Sequence, residues 1–492
     1  MKGRWFLTLG MAALSAIGCK AQPQQTVVFE PVRFVDGTPV RGEAKADSLF
    51  AQDRFLADST VTEKGDTLIV MHHSSAFARL ELRGLPAKDS LSRIDLVPVT
   101  GELAATVHST EGSPLGTALL RTLPGTRTDG DGKAVLWTAL APQDFSDSAF
   151  AVLAYRQDGS LWTARLPGFD FQSGTAWKWT AACIPAQPLH SSLEITSLPQ
   201  TRLDITPGEY SGIAWTGGDS YAVVSDNLRG GGLLRFTIPL SENGSVGRVQ
   251  LKVMPGTEAA TGAKPDNEGV AWADGKLYVA NEKQQILEFD ATGAPTGKSF
   301  RIPADMGKGC IDENRGFEAL TFNMQTGLFW TTTESPLKRD TFLPRLLRLQ
   351  SFDRDGEPAG RYLYQTGIPE KSRTGALAYT FGVSAMAALD DGRLLVLERE
   401  VYAAGGSFFE RLGNTFSRMD LYLVDPVHDK AGILRKALLC SFRTGALDLA
   451  NFEGMCLGPT LPDGRRVLLL IADTQNSAGG MVREYAKVLL LR

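Results

Sequence analysis

Hydrophobic and polar positions recur through the second half of the chain with a long period. Five segments begin alike, each with a polar or acidic residue opening a short apolar run. They are Tyr210-Ser211-Gly212-Ile213-Ala214-Trp215, Asn267-Glu268-Gly269-Val270-Ala271-Trp272, Gly316-Phe317-Glu318-Ala319-Leu320-Thr321, Val383-Ser384-Ala385-Met386-Ala387-Ala388 and Phe452-Glu453-Gly454-Met455-Cys456-Leu457. A turn and a second apolar run follow each: Tyr221–Val224, Lys276–Ala280, Gly327–Thr332, Arg393–Leu397 and Val467–Ile471. Short apolar runs bounded by turn residues predict strands. Each second run ends at an acidic residue. The distance is 15 positions from Ser211 to Asp226, 14 from Glu268 to Glu282, 16 from Glu318 to Glu334, 14 from Ser384 to Glu398 and 20 from Glu453 to Asp473.

The units lie 50 to 69 residues apart, somewhat beyond the roughly 40 to 50 of ordinary propeller blades, with loops absorbing the excess. A solenoid needs shorter, more uniform turns, and a sandwich does not return an acid to the end of every second strand. The pattern predicts an all-β fold with a five- or six-bladed β-propeller over 193–492. Residues 193–205 are expected to pair with Tyr485–Leu491, which closes the circle and removes exposed edges.

Residues 24–182 also read as β, and predict an N-terminal β-sandwich. Thr67-Leu68-Ile69-Val70 and Ala78–Leu82 have strand composition, and Asp129-Gly130-Asp131-Gly132 and Asp158-Gly159 predict hairpin turns. The first turn lacks the later glutamate of a calcium loop. His72 and His73 are adjacent, so in a strand they face opposite sides and cannot ligate one metal together. The strand Ile69–Leu82, with His72 and Ala76, and the segment Gly168–Trp179 resemble fimbrillin-like sandwich lipoproteins. Ile184-Pro185-Ala186-Gln187-Pro188 breaks the pattern and predicts a linker over 183–192.

The chain opens with Lys2 and Arg4, an apolar run from Trp5 to Ile17, and Gly18-Cys19. A basic start followed by a short apolar stretch is a secretory signal. The run is about half of the roughly 20 residues that span a bilayer. Ala16-Ile17-Gly18-Cys19 resembles a bacterial lipobox, which implies a signal over 1–19 and lipidation of Cys19. Lys20, rather than Asp, after the cysteine implies an outer-membrane destination in the cell envelope, on its periplasmic or surface face. More than one acyl chain is needed for stable anchoring.

A net charge of -4 gives no basic footprint for nucleic acid. Cys183, Cys310, Cys440 and Cys456 form no CxxC pair, which argues against a zinc ribbon or redox motif; scattered buried thiols or one disulfide remain.

A ring built from the repeat gathers Asp226, Glu268, Glu282, Glu318, Glu334, Glu398, Glu453 and Asp473. Like charges within about 4 to 6 Å raise one another's pKa, so cations must balance them. Hard oxygen donors without nearby cysteine or histidine suit calcium, or magnesium, rather than zinc. Arg315 and Arg399, beside Glu318 and Glu398, are the other positive charges and suit carboxylate or phosphate. The bland alternative is that each acid caps backbone N–H groups or pairs with an arginine between blades. Asp353-Arg354-Asp355-Gly356 reads as a turn. No Gly-x-Ser-x-Gly elbow, His-Glu-x-x-His or P-loop is present.

Tyr210-Ser211-Gly212-Ile213 with Ser225-Asp226, then Asp266-Asn267-Glu268-Gly269-Val270, Asn314-Arg315-Gly316-Phe317-Glu318-Ala319-Leu320, Thr333-Glu334-Ser335-Pro336-Leu337, Leu395–Arg399 and Asn451-Phe452-Glu453-Gly454-Met455 resemble, in order, the phytase-like domain with esterase-like activity. The resemblance covers about 193–492 and implies hydrolysis of esters or phosphate esters on a propeller. Ser384 departs from the acidic pattern, and the scarcity of lysines sits poorly with highly charged phytate. The resulting expectation is a metal-assisted hydrolase of a small-molecule ester. Calcium would be held by Asp226, Glu268, Glu318, Glu453 and Asp473, with Arg315 and Arg399 facing the developing charge and Glu282, Glu334 or Glu398 as base. The alternative is a non-catalytic surface propeller that binds a glycan, peptide or protein.

Overall fold

The computed structural model describes residues 75–100, 122–186, 188–226, 232–255, 266–312, 315–340, 343, 345–429, 431–473 and 483–492, with short strands between 6 and 73 and at 104–107 and 116–119. Cys19 and most of the signal-like stretch lie outside the described residues, as do the side chains of His72 and His73. The chain divides into two compact units, Met1–Ala186 and Gln187–Arg492.

In the first unit, a five-stranded sheet (122–127, 90–98, 149–156, 161–167, 184–185) and a four-stranded sheet (134–140, 76–83, 175–182, 33–34) share one core. Alternation is clearest in Ala134–Leu140, where every second side chain is buried. Phe150, Phe171 and Trp179 pack ring against ring at its centre. Three expectations change here. Ile69–Leu82 is two strands, Asp66–His73 and Ala76–Arg83, in different sheets. The Asp129 turn joins the two core sheets instead of closing a hairpin, with the Asp129 carboxylate accepting from the Asp131 and Lys133 N–H groups. Asp158-Gly159 does close a hairpin, since its flanking strands pair. The linker predicted over 183–192 begins later, because Ile184–Pro185 pairs with Trp162–Thr163 as an edge strand. An edge is where proline is tolerated.

The second unit is a five-bladed β-propeller. Blades 1 to 4 are consecutive four-stranded antiparallel sheets that start at Tyr210, Asn267, Phe317 and Ala376. Blade 5 takes Asn451–Thr460, Arg466–Asp473 and Tyr485–Leu491, and completes itself with Ile195–Ser197 from the start of the unit. Each innermost strand packs against the next, and that of blade 5 returns to that of blade 1. Five apolar clusters fill the five junctions, for example Leu468 and Leu470 with Leu395 and Leu397 between blades 5 and 4. At about 25 cal/mol per Å² of apolar area removed from water, these clusters are the main cohesive force. Close approach of neighbouring blades requires glycine at Gly269, where a Cβ would stand 2.6 Å from the Leu320 nitrogen.

Candidate active site

Every innermost strand carries a β-bulge at the same place. The pairing register skips one residue in each blade: Ser211, Glu268, Glu318, Ser384 and Glu453. All five are buried. A bulge leaves its residue out of the ladder and re-aims the side chain. The repeat in the sequence is therefore a repeat of bulges.

A second tier follows from the partner strand. The residue just beyond the one that faces the bulge is Asp226, Glu282, Glu334, Arg399 or Asp473 in blades 1 to 5. In blades 1 to 3 its backbone N–H donates to the residue just before the innermost strand, as from Glu282 to the Asp266 carbonyl at 3.0 Å. Asp266 adopts the left-handed region with φ 47° to make that turn.

This placement corrects one expectation. Glu398 pairs with Val383, and alternation turns its side chain to the opposite face of the strand from Arg399. There it accepts from the Gly367 N–H at 2.7 Å, from the Tyr364 hydroxyl and from the Lys436 ammonium. Burial lowers the Lys436 pKa and raises that of Tyr364. Glu398 is thus part of a buried polar cluster away from the site, and Arg399 takes the fourth place in the ring.

The two tiers open into a cavity of about 380 Å³ lined by Asp226, Glu268, Glu282, Arg315, Glu318, Glu334, Arg399, Glu453 and Asp473. Its charge is divided. Arg399 donates to Glu334 Oε1 at 2.7 Å, to Asn451 Oδ1 at 3.1 Å and to Glu453. Glu334 also accepts from the Thr380 hydroxyl, and its other oxygen stands 3.7 Å from Arg315. Arg315 is half-exposed and donates to Ser335 Oγ at 2.6 Å. Glu453 is thereby an ion-pair partner for Arg399, which separates it from the other residues expected to hold a metal.

The remaining acids have far less compensation. Burial, then the charges of Glu282, Asp226 and Asp473, raises the pKa of Glu268 well above its ordinary value; Ser211 hydrogen-bonds it. Burial, then Glu268 and Glu334, does the same to Glu318, with Arg399 opposing. Glu282 is raised mainly by burial, against hydrogen bonds from the Gly316 N–H at 2.6 Å and from Glu318. Glu318 and Glu282, on neighbouring blades, are thus both held above the ordinary carboxylate range. Among the described residues, no three His, Cys, Asp or Glu side chains converge as ligands of one metal ion.

Sequence reasoning left several lining residues without a role. Asp266 and Asn451 stand two residues before a bulge, so their place in the repeat marks them. Ala378, Thr380, Val401, Ala403 and Leu449 carry no such mark, since nothing in their own types points to a site.

The family described as "Phytase-like: Esterase-like activity of phytase" matches residues 205–475, which spans both tiers of every blade. The chain belongs to this phytase-like family. Among solved structures, it is similar to a streptogramin B lyase at 12% identity, covering 61% of this chain and 98% of that one, with a TM-score of 0.25. It is also similar to Myxococcus xanthus glutaminyl cyclase at 11% identity, 61% and 98% coverage and a TM-score of 0.32. A third is a Trichoderma reesei carbohydrate-active enzyme of family AA12, at 9% identity, 62% and 97% coverage and a TM-score of 0.31. No curated protein matches the chain. Cys183, Cys310, Cys440 and Cys456 are free thiols, Cys183 and Cys456 buried.

Proposed function

We propose that the phytase-like propeller hydrolyses esters, phosphate esters foremost, in the cavity at its acidic end, assisted by a hard divalent cation, calcium or magnesium. The observation that carries this reading is that the buried Glu318 and the half-buried Glu282, from neighbouring blades, line the wall of one open cavity. Two nearby carboxyls, one held protonated more strongly than the other, supply an acid and a base at neutral pH. Glu318, the more buried, keeps the proton and gives it to the leaving alcohol oxygen. Glu282 takes a proton from the attacking water, whose oxygen bonds to phosphorus or acyl carbon as the ester bond breaks. Arg315, whose side chain is 31% exposed at the mouth, faces the charge that grows on the non-bridging oxygens. Arg399, locked by Glu334 and Glu453, fixes the basic edge of the site.

The donor chemistry fits a hard cation, because Asp226, Glu268 and Asp473 are oxygen donors that line one cavity. Asp226, Glu268 and Asp473 would hold it, after side-chain rotation. When bound, it supplies polarisation of the substrate oxygen and a lowered pKa for a nearby water. Supporting the need for a cation, the ionised acids of this edge would otherwise repel an anionic substrate. The proposal extends to location: lipidation at Cys19 holds the protein in the bacterial cell envelope at the outer membrane, with no nucleic-acid partner.

The test is turnover of a phosphate- and carboxylic-ester panel, with calcium and with chelator. Glu318→Gln is expected to lower kcat at least 100-fold in a protein that still melts cooperatively. Absence of turnover throughout the panel would overturn the reading and leave a non-catalytic binding propeller.

A further inference from the structure

Blade 4 differs from its neighbours in the length of its inner hairpin. Ala376–Ala388 and Leu394–Ala404 run for 13 and 11 residues, against 6 to 8 for the corresponding strands of blades 1 to 3. The ladder therefore continues past Arg399, pairing Thr380 with Val401 and Ala378 with Ala403. Strand alternation puts Val401 and Ala403 on the same face as Arg399, and their partners Thr380 and Ala378 face the same way. All four line the cavity, and Leu449 joins them. The charged residue of this extension, Glu400, lies on the opposite face, where it accepts from the Glu370 and Lys371 N–H groups at 2.8 Å each.

The cavity thus has an acidic wall from blades 1, 2, 3 and 5 and an uncharged, largely apolar wall from blade 4. Of the described lining side chains only Arg315 and Arg399 are cationic, and both already face Glu334. A substrate bearing many phosphates would set its outer anions against methyl groups on one side and carboxylates on the other. Apolar surface instead gains by leaving water along that wall.

Resting on the hydrolase reading above, we infer that the substrate is an ester joining one reacting head to an uncharged apolar chain or aryl group, with that group lying along Ala378, Thr380, Val401 and Ala403. These residues set specificity, and the acidic tiers act on the head.

The experiment measures kcat/KM for two homologous series, alkyl phosphates and nitrophenyl carboxylic esters, with chains of one to eight carbons, and for inositol hexakisphosphate. Within the series that turns over, kcat/KM is expected to rise about fourfold for each of the first few methylenes, corresponding to ~0.8 kcal/mol per buried CH₂. Inositol hexakisphosphate is expected to be the poorest substrate. Val401→Asp is expected to lower the ratio of eight-carbon to one-carbon kcat/KM at least tenfold, and Ala403→Asp serves as a second variant at the same wall. A flat series, or preference for inositol hexakisphosphate, overturns the inference while leaving the hydrolase reading standing. No turnover of any member overturns both.

Discussion

Arg399 of blade 4 stands in the ring position that blade 3 gives to Glu334, and the two are bonded at 2.7 Å. One arginine among four carboxylates thereby ties neighbouring blades together. It also splits the site into a neutralised edge and an uncompensated one.

The stability of that edge rests on the arginine. Arg399→Met leaves Glu334 and Glu453 buried without their shared cation, and is expected to cost about 3–5 kcal/mol in denaturant unfolding. Arg399→Lys keeps the charge but not the fork, and should fall between. A loss below about 1 kcal/mol for the methionine variant would mean that the acids find another partner.

The acidic edge makes stability depend on pH in a defined direction. Glu268 and Glu318 retain protons in the folded state above their ordinary pKa of 4.5, whereas the unfolded chain releases them. The folded state then binds more protons, so stability falls as pH rises. The slope is up to about 1.4 kcal/mol per pH unit for each group, from near 4.5 until the folded groups ionise. Acids with lowered pKa, such as Glu370 beside Arg443, act below that window. In chelator, Tm should be higher at pH 5 than at pH 8, and Glu268→Gln with Glu318→Gln should flatten the difference.

A divalent cation competes with those protons. Calcium is therefore expected to raise Tm more at pH 8 than at pH 5. At a hundredfold excess over Kd, the gain is about 2.7 kcal/mol. The double change Asp226→Asn and Asp473→Asn should abolish most of the shift, as read by calorimetry. Equal shifts in wild type and double variant would place the ion elsewhere.

Glu398 and Arg399 are sequence neighbours with opposite assignments. Glu398→Gln is expected to cost about 1–3 kcal/mol, because Lys436 and the Gly367 N–H keep only a neutral partner. Ester turnover by the folded variant should stay within twofold of wild type. A tenfold loss would return Glu398 to the chemistry.

The propeller and most of its ring were legible because bulge residues must be re-aimed at one place in every blade. That repeats a short motif: Glu268, Glu318 and Glu453 follow from it. The misassignment of Glu398 has a geometric origin. Ser384 to Glu398 spans 14 residues, the same as Glu268 to Glu282, but the hairpin loops differ, and the structural equivalent of Glu282 is Arg399 at 15. One residue along a strand is the difference between its two faces. The apolar wall was not legible, since Ala378 and Ala403 acquire meaning only once the longer hairpin carries them past the ring. Nor was the Glu334–Arg399 pair, whose members lie 65 residues apart.

The sharing of blade 5 between Ile195–Ser197 and Tyr485–Leu491 also has a consequence for biosynthesis. Residues 485–491 follow every other strand of the propeller along the chain, so a nascent polypeptide can assemble blades 1 to 4 while their outer flanks stay open. Glu453 and Asp473, and with them one of the two carboxylate partners of Arg399, arrive with the same closing blade. Completion of the acidic cavity therefore waits on the last blade of the propeller, and a chain that stops before Glu453 lacks two of its lining acids.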